Sequence, residues 1–228
     1  VKRKNKSTWL GRFLKWRVRH ISNKNFMLVM AVLVGLSVGL AAVIIKNSVH
    51  LIRDLLTGGF SADDYNVLFS LYPAIGIGIA MFFINWIIKK RVGHGIPTIL
   101  HAISTTNGNI SRHNMFSSVI ASAFTVGFGG SVGLEGPTVA TGGAIGANLG
   151  KMFHLSYRQI ILLIGCAAAG AMSAIFKAPI AAIVFVLEVI MLDLTMSSLV
   201  PLLLASVSAA LTSYLFLGQD VIYQFSLI

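Results

Sequence analysis

Negative charge is what this sequence has least of: seven acidic residues among 228, against 18 lysines and arginines. Charge of either sign makes up only 11% of the chain, where soluble domains carry about a quarter, which excludes an ordinary soluble domain. Cysteine occurs once, at Cys166, so no internal disulfide is possible. His20, His50, His101, His113 and His154 show no metal-ligand spacing, and there is no phosphate loop or nucleophile motif. Neither an enzyme nor a metal or cofactor site is therefore expected. The scarcity of acid is also uneven. Nine of the 18 cations fall within residues 1–24, which hold no acid, and the net charge is +11.

Hydrophobic residues, by contrast, fill 56% of the chain. Two uncharged stretches, 26–45 and 67–88, come near the ~20 residues that cross a bilayer. A third apolar region, 160–217, is broken by Lys177-Ala-Pro179, Glu188 and Asp193. The chain reads as an all-α, multi-pass membrane protein. A basic tail beside a span marks the cytoplasmic side more readily than a nucleic-acid partner, and none is expected. Trp9, Phe13 and Trp16 recur at helical spacing among the cations, so residues 1–24 are expected to lay an interfacial helix on membrane lipids. The 46–66 connection, with Arg53, Asp54, Asp63 and Asp64, suits the outside, and Lys89-Lys90-Arg91 suits the inside. The expected setting is a prokaryotic inner (plasma) membrane with the N-terminus cytoplasmic. Residues 25–218 form the transmembrane unit, and 219–228 begin a linker.

From Gly93 onward the apolar segments become short. Those at 98–106, 115–128 and 137–149 fall below a full span and are bounded by glycine and proline. Such interrupted segments point to broken helices at a transport site. Segments at 160–175, 179–192 and 199–217 follow. Gly35 and Gly39, and then Gly142, Gly146 and Gly150, recur every four residues, as helices in close contact require.

Glu135 is the only acid between Asp64 and Glu188, and it sits inside Gly129-Gly-Ser-Val-Gly-Leu-Glu-Gly-Pro137. A carboxylate at membrane depth costs about 2.5–3.5 kcal/mol on insertion scales and defaults to a functional role. The surrounding glycines and Pro137 predict a helix that starts in mid-membrane, with its N–H groups aimed at an anion. The bland alternative is a carboxylate that merely caps those groups.

Gly93-His-Gly-Ile-Pro97, Gly133-Leu-Glu-Gly-Pro137 and Ala178-Pro-Ile-Ala-Ala-Ile-Val-Phe-Val-Leu-Glu188 stand in one order and spacing. Together they resemble the CLC family of chloride channels and chloride/proton antiporters, over residues 26–217. The resemblance implies the first of two inverted repeats of tilted and broken helices, a homodimer through the helices at 179–217, and a second repeat carrying a Gly-x-Phe-x-Pro motif. It implies an anion site at Gly93, His94, Gly95, Ile96, Pro97, Gly133, Leu134, Gly136 and Pro137, with chloride as substrate and Glu135 as the gate. His94 stands where the family motif has serine, and Leu134 where it has arginine. Val189 stands where proton-coupled members carry a second glutamate and where channels carry valine.

Three functions are therefore weighed. A voltage- or pH-gated chloride channel comes first, with Glu135 competing for the helix N–H groups. A chloride/proton antiporter comes second, with Glu188 and Val189 as a weak relay position, Glu188 otherwise being an acid bonded at its helix end. A cation-coupled carrier using Glu135 and Glu188 as ligands comes third, because glycine and proline here mark N-termini rather than carbonyl-rich C-termini.

Overall fold

The computed structural model describes residues 20–57, 71–89, 95–190 and 196–218, and every regular element among them is helical. The expected interfacial helix with Trp9, Phe13 and Trp16, the residues Gly93 and His94, and the 219–228 linker lie outside the described residues.

The first helix, α1 (Asn23–Thr57), has 35 residues and runs well past the expected 26–45 span. Between Gly39 and Gly58 there is neither glycine nor proline, so nothing stops the helix where the sequence turns polar. At 1.5 Å per residue it is about 52 Å long, against a hydrocarbon core of ~30 Å. Lys46, His50 and Arg53 therefore extend the helix instead of forming a loop.

Next comes α2 (Tyr72–Phe82), which passes into a π-helical turn at Phe83–Ile88 and stops at Lys89 in the left-handed region, φ 52°. With α3 (Gly95–Thr105) and α4 (Asn114–Gly127) it belongs to the short class. The expected second span is thus described only as the 17 residues Tyr72–Ile88, too short to rank with the long helices. After α5 (Glu135–Met152) come α6 (Tyr157–Phe176), α7 (Pro179–Val189) and α8 (Met196–Leu217). By length and composition, α1, α6 and α8 are long and apolar enough to cross a membrane.

Small residues hold the long helices together. A Cβ built at Gly39 would fall 2.9 Å from Ala209 O of α8, and one at Gly142 would fall 2.9 Å from Ala167 O of α6. Hydroxyls join a third pair, α6 and α8: Ser173 Oγ donates to Ser206 O (2.8 Å) and Ser213 Oγ to Ala174 O (2.7 Å). The glycine spacing read from the sequence is thus a packing seam. A valine at Gly146 would place its Cβ 2.6 Å from Leu163 O, and overpacking of this kind costs about 1–3 kcal/mol. Gly146→Val is expected to lower the melting temperature in detergent, while Gly78→Val, where nothing lies within 4 Å, leaves it alone. Equal melting of the two variants would show that the seam does not hold the bundle.

One end of the bundle gathers the start of α1, the α3–α4 turn and the end of α5. Phe26 packs edge-on against Phe153 at 5.9 Å, and Tyr157 Oη donates to Ile103 O (2.8 Å). Lys24, Arg112, Lys151 and Arg158 share that end.

Candidate functional site

Two helices begin with the same arrangement. Gly95, Ile96 and Pro97 open α3, and Glu135, Gly136 and Pro137 open α5. The proline is third in each, where a missing N–H costs nothing because the first N–H groups of a helix have no intrahelical acceptor.

The two starts meet. Gly95 has φ +54°, and a Cβ there would lie 3.3 Å from Gly136 Cα and 3.5 Å from its carbonyl oxygen. Only glycine accepts that backbone conformation without strain at so close an approach. Two turns further on, a Cβ at Gly143 would collide with Ile99 at 2.7 Å, so α3 lies flush along α5. Forty residues of sequence separate motifs that touch.

The donors differ slightly from the expected positions. The sequence reading began the short segment at 137, but α5 begins two residues earlier, at Glu135. Thr138 spends both its N–H (3.1 Å) and its hydroxyl (2.7 Å) on Leu134 O. The N–H groups without an intrahelical acceptor are those of Glu135 and Gly136 at one start and of Gly95 and Ile96 at the other. Each helix start carries about half a positive charge, so the junction has positive potential that does not come from a cationic side chain.

A cleft of about 500 Å³ opens at this junction. Gly95, Ile96, Pro97, Gly133, Gly136 and Pro137 form one wall, and Ser118, Ser122 and Thr125 of α4 face them. Ser122 Oγ and Thr125 Oγ1 donate to Ser118 O (2.7 Å) and Ala121 O (2.9 Å) of their own helix. Ser118 is 6% exposed by residue, and its hydroxyl has no hydrogen-bond partner among the described residues. An unpartnered buried hydroxyl costs about 1–3 kcal/mol unless something accepts its proton. Sequence reasoning missed Ser118. The available signal was Ser118, Ser122 and Thr125 recurring every three or four residues within an otherwise apolar helix.

Glu135 occupies the first position of α5 and is half-buried. A Cβ built at Gly133 would clash with Glu135 Oε2, so the carboxylate folds back over the glycine that lines the cleft. Among the described residues it has neither a hydrogen-bond nor an ion-pair partner. The dipole of α5 favours it there.

Leu134 points elsewhere. It lines a separate cavity of about 120 Å³ with Lys46, His50 and Lys177, three basic residues to which the sequence reading gave no part in a site. Lys177 Nζ donates to Gly218 O (2.5 Å) and lies 4.8 Å from the centre of the Tyr214 ring. The structure therefore groups six of the nine expected anion residues around one cleft and separates Leu134 from them, while Gly93 and His94 fall outside the described residues. On α7, Glu188 is exposed in line with Ile180 and Val184, whereas Val189 packs against the main core. The helix-end bond considered for Glu188 has no partner among the described residues.

A family model described as voltage gated chloride channel matches residues 76–227, a stretch that takes in both helix starts. The chain belongs to that family. Among curated CLC proteins it is 33% identical over 174 residues to the H(+)/Cl(-) exchange transporter ClcA of Vibrio campbellii, covering 71% of this chain and 36% of that one. It is 31% identical over 144 residues to a putative chloride channel protein, ClcB-like, of Ralstonia nicotianae, covering 61% of this chain and 33% of that one. An uncharacterized protein of Methanocaldococcus jannaschii is 27% identical over 199 residues, 87% of this chain and 46% of its own. The chain thus spans between a third and just under half of these relatives' length. Its fold matches the crystal structure of a slow cyanobacterial Cl-/H+ antiporter with a TM-score of 0.71 at 22% identity, over 86% of this chain and 48% of that one. This CLC chain is a membrane protein with the family's broken-helix fold.

Proposed function

We propose that this chain supplies half of a gated chloride pathway, with the anion held between the starts of α3 and α5 and Glu135 as its gate. The observation that carries the reading is the contact of Gly95 with Gly136, which turns two helix N-termini toward one cleft beside an unpartnered carboxylate. Partial charges from two helix ends hold a dehydrated anion weakly enough for it to leave, as conduction requires. Ionised Glu135 competes for the same donors, and protonation or an arriving anion displaces it. The other half of the pathway belongs to a second repeat. The exposed apolar stripes Ile180 and Val184 on α7, and Val200, Leu203, Val207 and Leu211 on α8, are the proposed contact with a second copy, and lipid covers the remaining apolar surface. The 1–24 end is proposed to be cytoplasmic, since Lys24, Arg112, Lys151 and Arg158 gather there without a described acid.

The test is flux from vesicles holding the full-length protein. Chloride efflux that depends on the protein supports the reading, and a cation flux without chloride flux overturns it.

Proton-coupled exchange is the second reading, favoured by the exchange transporter named among the relatives. Against it, Val189 is apolar and Glu188 points about 100° away from it on the same helix. Little stoichiometric proton transport is therefore expected, with only a modest gain from Val189→Glu. Uphill proton movement driven by a chloride gradient would establish exchange instead, and its loss in Glu188→Gln would identify the relay.

A further inference from the structure

A second cleft, of about 460 Å³, lies at the opposite end of α5 from Glu135. The two are separated by sixteen helical residues, about 24 Å along the axis. Arg112 and Lys151 line this cleft together with Asn109, Ser111 and His113, and no acid is among the lining residues. No acid can reach them from nearby sequence either, because the chain has none between Asp64 and Glu135 or between Glu135 and Glu188.

The walls are fixed by contacts remote in sequence. Lys151 Nζ reaches Asn109 Oδ1, and Asn148 Nδ2 donates to Ile110 O (3.3 Å). Gly108, at φ +73°, sits so close to Ile160 that a Cβ would come within 2.8 Å of it, and its N–H donates to Ala102 O (2.7 Å). Lys151 stands in the last turn of α5, a helix that is not among those long and apolar enough to cross a membrane. Its partial burial first, and then the Arg112 charge, hold its pKa below the usual lysine value. Two like charges held together in a polar, preformed cleft are what a doubly charged oxyanion relieves. Chloride has no use for a guanidinium fork, whereas a phosphate group accepts two parallel N–H bonds from one.

We propose that Arg112 and Lys151 form a binding site for a phosphate group, supplied by an anionic lipid headgroup or by free phosphate. The cleft sits at the basic end of the bundle, where basic pockets between membrane helices meet anionic headgroups. Occupancy would tie the α3–α4 turn to the end of α5. The site is thereby placed to influence the junction at the other end of α5 through a rigid helix.

Native mass spectrometry of the full-length protein in detergent, with phosphatidic acid or phosphatidylcholine added, tests this directly. Inorganic phosphate is titrated in parallel by calorimetry. Phosphatidic acid is expected to be retained over phosphatidylcholine, and Arg112→Gln/Lys151→Gln to lower its retention at least tenfold. Arg112→Gln alone, which removes no side-chain hydrogen bond among the described residues, should weaken retention while the melting temperature stays unchanged. Retention of phosphatidic acid without inorganic phosphate binding supports a lipid ligand, and displacement of the lipid by inorganic phosphate supports the phosphate group as the recognised element. Equal retention of both lipids with no phosphate binding would overturn the site, as would undiminished retention in the double variant.

Discussion

Glu135→Ala is expected to raise chloride flux through the full-length protein and to flatten its dependence on pH. In the parent protein the Glu135 carboxylate sits at the first position of α5 and folds over Gly133, beside the N–H groups proposed to hold the anion. A charge in such a partly buried place at a helix start gains about 1–2 kcal/mol from the dipole. An incoming anion has to offset that gain, so deleting the carboxylate corresponds to about a 5- to 30-fold rise in occupancy of the path. The pH dependence follows from the same competition. With the proposed gate, flux through the parent protein is expected to rise as pH falls, and alanine, which has no carboxylate, is expected to remove that dependence. Chloride efflux from vesicles across a pH series checks both effects. Unchanged, still pH-dependent flux in the alanine variant would remove Glu135 from the gate.

Gly95→Val is expected to abolish flux while leaving the protein inserted and helical. Gly95 combines a left-handed backbone, φ +54°, with an approach of 3.3 Å between its virtual Cβ and Gly136 Cα. A left-handed conformation costs an L-residue about 1–2 kcal/mol before any clash, and a β-branched side chain adds steric load to both. The strain is relieved if the start of α3 turns away from α5, which pulls the N–H groups of Gly95 and Ile96 out of the cleft. Gly95→Ala should retain a reduced flux, because its methyl group meets Gly136 at the edge of ordinary contact. Gly136→Ala is the control: a Cβ there lies 3.9 Å from Gly95 Cα, so its effect should be the smallest of the three. The same efflux measurement, with circular dichroism to check folding, separates loss of the site from loss of the protein. Parent-like flux in Gly95→Val would show that the meeting of the two helix starts is dispensable.

Much of this was legible in the residues themselves. Local chemistry governs where helices break, so the short segments, the prolines at helix starts and the four-residue glycine spacing all had direct structural counterparts. Where the sequence reading missed, the cause lay beyond local signal. Polar residues between Lys46 and Thr57 suggested a loop, but a helix ends at a breaker, and none is present before Gly58. Leu134 stood within the motif and was grouped with it, yet successive residues at a helix start point about 100° apart, so it faces Lys46, His50 and Lys177 instead. Ser118 carries no motif at all. Its role as the opposite wall arises only because α4 lies across from the junction.

The sequence alone determined that the chain is a membrane protein of broken helices, that Glu135 is an isolated acid at a helix start, and that glycine seams hold the bundle. These follow from composition and from backbone preferences that act within a few residues. Tertiary structure decided which two helix starts face each other, which hydroxyl completes the cleft, and that Arg112 and Lys151 share a second one. Those pairings join residues roughly 20 to 40 positions apart, and their geometry depends on crossing distances set by side-chain volumes across several helices at once.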